Sequence, residues 1–86
     1  MEKVYKLKKE CSIKLIGEEG LLYDACNKKV HVLNETGAII INMIQQEKSI
    51  NEITRFIADQ YNADMEEVKE DVAGFIKQFD EMSIFC

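Results

Sequence analysis

Val30-His31-Val32-Leu33-Asn34-Glu35-Thr36-Gly37-Ala38-Ile39-Ile40-Ile41-Asn42-Met43-Ile44 is the stretch on which the reading of this chain turns. Val30 and Val32 alternate with His31 and Leu33 at the two-residue period of a strand, and Gly37, Ile40, Ile41 and Ile44 then recur at helical spacing. The change of period predicts a strand ending near Leu33, a corner over Asn34 to Thr36, and a helix beyond it. A side-chain oxygen of Asn34 or Thr36 is placed to accept from first-turn N–H groups that have no intrahelical partner.

Upstream of this corner the pattern is that of a sheet. Ile13 and Leu15 alternate with Ser12 and Lys14, and Gly17-Glu18-Glu19-Gly20 breaks the strand with two glycines. Leu21-Leu22-Tyr23 forms a second apolar run. The turn-rich Asp24-Ala25-Cys26-Asn27-Lys28 leads into a third strand, Lys29 to Leu33. The expectation is a three-stranded antiparallel meander, with residues 1–11 either a loosely ordered lead-in or an added edge. So small a sheet cannot bury both faces by itself, and the helices downstream must cover one of them.

Downstream the pattern is helical throughout. Ala38, Ile39, Ile40, Ile41, Met43 and Ile44 make the first helix apolar on most sides, the central pillar of a core. Ser49-Ile50-Asn51-Glu52 has the Ser-x-x-Glu form of a capping box and starts a second helix with Ile50, Ile53, Ile57 and Tyr61 on one face. Asp64 is a candidate cap for a third helix from about Met65 to Met82, with Glu66 and Glu67 at the positive end of its dipole. Its apolar set, Met65, Val68, Val72, Phe75, Ile76, Phe79 and Met82, sweeps a wider arc than one helix contact requires and leaves surface for a partner. Gly74 interrupts this helix, and a close backbone approach is the reason its presence suggests. Ser83 to Cys86 reads as a short terminal strand or extended tail. The fold class is α+β, with the order β-β-β-α-α-α.

The 86 residues allow one small domain over 1–86 with a single core. Sixteen acidic against 11 basic residues give a net charge of −5, which opposes binding to a polyphosphate, and the local excess of Lys3, Lys6, Lys8 and Lys9 reads as a solvated chain start. The sequence shows neither a secretory signal nor an apolar run of membrane-spanning length, and Cys11, Cys26 and Cys86 form no CxxC, all of which points to reduced thiols and the cytosol.

Little here builds an enzyme. His31 is the lone histidine, mid-strand between valines, and its bland reading is a neutral ring pointing off the sheet. Cys11, Cys26, His31 and Cys86 lack the paired spacing of zinc sites, and glycine-rich phosphate loops, HExxH and Gly-x-Ser-x-Gly are missing. No cofactor is expected. The chain does offer a strand, Lys29 to Leu33, suited to be an edge beside an apolar helix. A peptide adding there gains backbone hydrogen bonds of about 0.5 to 1.5 kcal/mol each and apolar anchors of roughly 1.5 to 3 kcal/mol each, before ordering costs.

Several segments together resemble the PqqD-like family, the peptide chaperones of pyrroloquinoline quinone biosynthesis and the related recognition elements for ribosomally made, modified peptides. They are Val32-Leu33-Asn34 with Gly37-Ala38 and Ile41, Ser49-Ile50-Asn51-Glu52-Ile53 ending in Tyr61, and Val68-x-x-Asp71-Val72-x-x-Phe75-Ile76 followed by Ile84. The resemblance spans residues 12–86. It implies a winged-helix-like fold in which the leader segment of a precursor peptide adds antiparallel to the third strand, in the groove beside the third helix. Carried over by position, the peptide-binding residues are Val30, His31, Val32 and Leu33 on the strand and Lys69, Val72, Phe75, Ile76 and Phe79 on the helix. The implied role is non-catalytic presentation of the leader to a modifying enzyme, often a radical S-adenosylmethionine enzyme. Gln46-Glu47-Lys48 replaces a glycine common after the first helix, and the chain has no proline, so the family's proline-rich start is absent. The absent proline-rich start argues against a docking role of the N-terminus and favours the broader class of standalone leader-binding proteins over the quinone pathway itself.

Two other classes stand beside this reading. A winged-helix DNA-binding protein shares the outline, but Arg55 is the only basic residue of the second helix, too little to neutralise phosphates. A non-catalytic accessory or dimerisation subunit would use the same apolar surplus on the third helix. The partners expected are a precursor peptide and its modifying enzyme, without nucleic acid or membrane, the protein itself being a monomer or weak homodimer.

Overall fold

The computed structural model describes residues 4–85. Three strands, β1 (Cys11–Ile16), β2 (Glu19–Asp24) and β3 (Lys29–Leu33), precede three helices, α1 (Glu35–Gln45), α2 (Ile50–Tyr61) and α3 (Met65–Glu81). The sheet is an antiparallel meander in the order β1-β2-β3, so β3 forms one of its edges. Gly17, with φ +62°, makes the first turn possible, and Lys28, with φ 55°, closes the second.

Alternation sorts the sheet into two faces. Leu22 is fully buried and pairs with Ile13 on one side and His31 on the other, so these residues share the face turned to the helices. Leu21 and Tyr23 lie on the opposite face, paired with Val32 and Val30. The helix pillar α1 crosses the inner face with Gly37, Ala38, Ile40, Ile41 and Ile44 buried. The helix comes close at Gly20, where an added Cβ would lie 2.9 Å from the Cβ of Ala38. Ile53, Ile57, Val68, Val72, Ile76 and Phe79 complete a single cluster from α2 and α3.

The caps settle the choices that the sequence left open at each helix start. Asn34, rather than Thr36, caps α1: its Oδ1 accepts from the Gly37 N–H at 2.8 Å. The Ser49–Glu52 capping box forms in both directions, each bond 3.1 Å long. Asp64 occupies the N-cap position of α3 but makes no side-chain cap bond, so the expectation of a carboxylate cap there is corrected. At the far end of α2 the Tyr61 hydroxyl donates to Glu35 Oε1 at 2.7 Å, tying the two helices together.

The ends of the described chain run side by side. Leu7 bridges Phe85, the Lys8 N–H donates to the Ile84 carbonyl at 2.8 Å, and Val4 bridges Ser49. Ile84 is fully buried. Aromatic rings continue the link inward: Tyr5 to Phe85 at 4.8 Å, Phe85 to Phe79 at 6.5 Å and Phe79 to Phe75 at 6.0 Å between centroids. Residues 1–3 of the lead-in and Cys86 of the tail lie outside the described residues.

The two unlike glycines provide a test of this packing. Gly74, expected to mark a close backbone approach, has no neighbouring atom within 4 Å of the position a Cβ would take. Replacing an open glycine inside a helix with alanine removes backbone freedom from the unfolded chain, so Gly74→Ala should stabilise by about 1 kcal/mol. Gly20→Ala forces the short, anchored Ala38 side chain apart from β2 and should destabilise by roughly 1 to 3 kcal/mol. Urea denaturation of the two variants measures both, with opposite signs expected.

Candidate functional site

The corner at Asn34 places β3 and the start of α1 beside the C-terminal half of α3. Helix α1 packs on β2, and α2 on α3, but no comparable packing joins β3 to α3 among the described residues. The gap left between them is a groove of about 420 Å³. One wall is the edge strand itself, Val30 to Leu33, continued by Asn34; the other is Phe75, Gln78, Phe79 and Met82. Those four fall at i, i+3, i+4 and i+7, one stripe of α3. Gly37 forms the floor.

That glycine sets the depth of the groove. A Cβ on Gly37 would come within 3.3 Å of both the Phe75 ring and Asn34 Oδ1, and within 3.6 Å of Leu33. With hydrogen there instead, the Phe75 ring lies against backbone and the Asn34 cap keeps its bond.

The third helix divides its wide apolar arc between two tasks. Val68, Val72, Ile76 and Phe79 are buried, whereas Phe75 and Met82 are only partly covered. Of the residues named from sequence, His31, Leu33, Phe75 and Phe79 meet at the groove, and Val30 and Val32 border it along the strand edge while alternation sets their side chains on the outer face of the sheet. Val72 and Ile76 are instead in the core, 1% and 8% exposed. Lys69 lies against α2, beside Ile50, Asn51 and Thr54. Phe79 serves both, lining the groove while 2% exposed. Sequence reasoning missed Asn34, Gly37, Gln78 and Met82. Counting three, four and seven residues on from Phe75 recovers Gln78 and Met82; no local signal marks Gly37 as a floor.

His31 turns toward the groove rather than away from the fold, because it shares the inner face with Leu22. Among the described residues no group of three or more His, Cys, Asp or Glu stands together to hold a metal ion. Nor is any helix of the described chain long and apolar enough to cross a membrane. A second and larger concavity, about 780 Å³, opens between the β1–β2 turn, α1 and α2 around Leu15, Ile39, Met43 and Phe56, and shares no residue with the groove.

The turn that delivers β3 to the edge is built on a carboxylate. Asp24, 3% exposed, accepts from the Asn27 side-chain amide at 2.8 Å and from the Asn27 N–H at 3.1 Å. These bonds favour the ionised form and hold the Asp24 carboxyl below its ordinary 3.8, against the opposing effect of burial. Such a turn, an Asx-type turn, fixes where Lys29 enters the strand.

An edge strand with no further strand beside it among the described residues, faced across a gap by aromatic side chains, is the geometry of a peptide-binding module that works by strand addition. The profile of the family described as Coenzyme PQQ synthesis protein D (PqqD) matches residues 19–83, and the chain belongs to that family. Two solved structures share the fold. "TbiB1 in Complex with the TbiA(beta) Leader Peptide" superposes with a TM-score of 0.87 at 20% identity, covering 93% of both chains. "Lasso peptide synthetase B1 complexed with the leader peptide" gives 0.85 at 19% identity, covering 98% of this chain and 99% of that one. No curated protein matches.

A depressed carboxyl contributes stability that is complete above its unfolded value and is lost as pH falls through the lower folded one. Acidification below 3.8 should therefore loosen the β2–β3 turn, and Asp24→Asn should flatten that part of the acid stability curve. Amide exchange at residues 29–33, compared between the two proteins across this range, reads the effect directly.

Proposed function

We infer that this protein binds the leader segment of a ribosomally made precursor peptide and presents it to a modifying enzyme, doing no chemistry itself. The leader adds antiparallel to β3 and lies against Phe75, Gln78, Phe79 and Met82. The observation that carries this reading is the groove between an edge strand and an aromatic helix stripe. Membership of the PqqD family and two same-fold structures described in complex with leader peptides support it.

Physical chemistry gives the mode its shape. In strand addition, backbone hydrogen bonds along β3 supply much of the affinity and the apolar wall selects the sequence. Several bonds at about 1 kcal/mol net, with two or three apolar anchors, less the cost of ordering a flexible peptide, give affinity near micromolar, about 8 kcal/mol. Weak enough to release, such a complex suits a carrier that hands its ligand on. The chain acts here as one recognition domain, and the identity of the enzyme, a radical S-adenosylmethionine enzyme among the candidates, depends on the modification the peptide undergoes.

Amide NMR titration with the leader halves of the short peptides encoded beside the gene is the direct test. Shifts gathered on residues 29–34, Gly37 and 75–82 are expected, with a dissociation constant near micromolar. Phe75→Ala, which trims a partly buried ring packed at the margin of the core, should weaken binding by about tenfold or more, as the loss of an aromatic anchor does, in a protein whose amide spectrum shows it still folded. A folded protein that shows no shifts with any of these peptides, or binding that ignores Phe75, overturns the assignment.

A further inference from the structure

The groove is only half of the surface an added strand would meet. Side chains of β3 alternate, so His31 and Leu33 point to the groove side while Val30 and Val32 stand on the outer face of the sheet. That outer face is apolar where an edge would be expected to carry charge. Val32 is 70% exposed and Val30 55% exposed, on an edge strand whose only ionisable residue besides His31 is Lys29 at its start. Protected edges carry lysines, prolines or bulges at such positions, because bare apolar edges recruit other strands.

The two valines do not stand alone. Register places Val32 opposite Leu21, itself opposite Lys14, and Val30 opposite Tyr23, itself opposite Ser12. Two cross-strand rows thus run over the outer face and end at the edge in a valine. Residues directly opposite across antiparallel strands stand about 4.5 to 5.5 Å apart at Cβ and stabilise each other when both are β-branched or aromatic. A strand added at β3 supplies the next member of each row.

We propose that the outer face of β3, through Val30 and Val32, is a second specificity surface for the bound leader, which pairs β-branched or aromatic residues with them while its alternate residues enter the groove. This rests on the strand-addition reading and sharpens it. Reading on the groove side alone demands an alternating leader, apolar at every second residue with anything between. Reading on both faces demands an uninterrupted run of about four or five apolar residues where the leader crosses β3. The ligand class is therefore a leader with a continuous β-prone apolar segment.

A serine scan of the peptide that binds in the titration above, against the parent protein and a Val30→Thr/Val32→Thr double variant, separates the possibilities. Threonine is isosteric with valine and keeps its strand preference, so the double variant retains the fold, which its amide spectrum verifies. Against the parent protein, serine at either of the two outward leader positions should weaken binding about two- to fivefold, the scale of one cross-strand pair. In the double variant those losses should shrink below about twofold, while losses at groove-facing positions stay as they were. Outward positions that tolerate serine without loss, or losses equal in the two proteins, overturn the second surface and leave the groove reading standing. If no peptide binds the parent protein, the leader reading falls and this proposal with it.

Discussion

The close approach of α1 to β2 is the constraint on which the remaining architecture depends. Gly20 presents no side chain to the helix and Ala38 presents a single methyl, so α1 can lie nearly on the backbone of the central strand. Ile40, Ile41 and Ile44 then bury fully beneath it, and α2 and α3 close the other side of the same cluster. The Asn34 cap fixes the angle at which the chain leaves β3 to reach that position. Because Leu33, Asn34 and Gly37 belong to the same few residues, the packing of the core and the floor of the groove are set by one short segment.

Much of this was written locally and therefore legible. Turn residues, two-residue alternation and the capping box at Ser49 are properties of neighbours in sequence, and each element they predict is present within a residue or two. The edge position of β3 follows from a meander whose next element is a helix. Harder to read was the division of α3. Val72, Ile76, Phe75 and Met82 are all apolar, and only the position of β3 across the gap decides which stripe faces it. Gly74 was misread for the opposite reason: a glycine implies a close neighbour only when tertiary structure supplies one, and here open space surrounds it. Asp64 shows that a capping residue type in the capping position need not make the bond.

Resemblance in sequence and resemblance in structure carry different weights here. The matched residues 19–83 establish the family, and at 19–20% identity the solved structures establish the fold. Under the proposed function, selectivity belongs to the positions that differ among proteins of one fold, the side chains along the groove and on the outer face of the edge strand, and to the charge around them. A net charge of −5 disfavours acidic ligands at long range, so a neutral or basic leader is the better electrostatic match.

The aromatic contacts from Tyr5 through Phe85 and Phe79 to Phe75 join the paired ends of the described chain to the groove. Phe79 touches the paired chain ends on one side and the groove on the other. One ring therefore belongs at once to the fastening of the fold and to the wall against which a ligand would rest. The seam between residues 5–8 and 84–85 and the wall of the groove are joined by ring contacts. The ring that lines the groove is thus also a member of the clasp that holds the first and last described residues of the chain together.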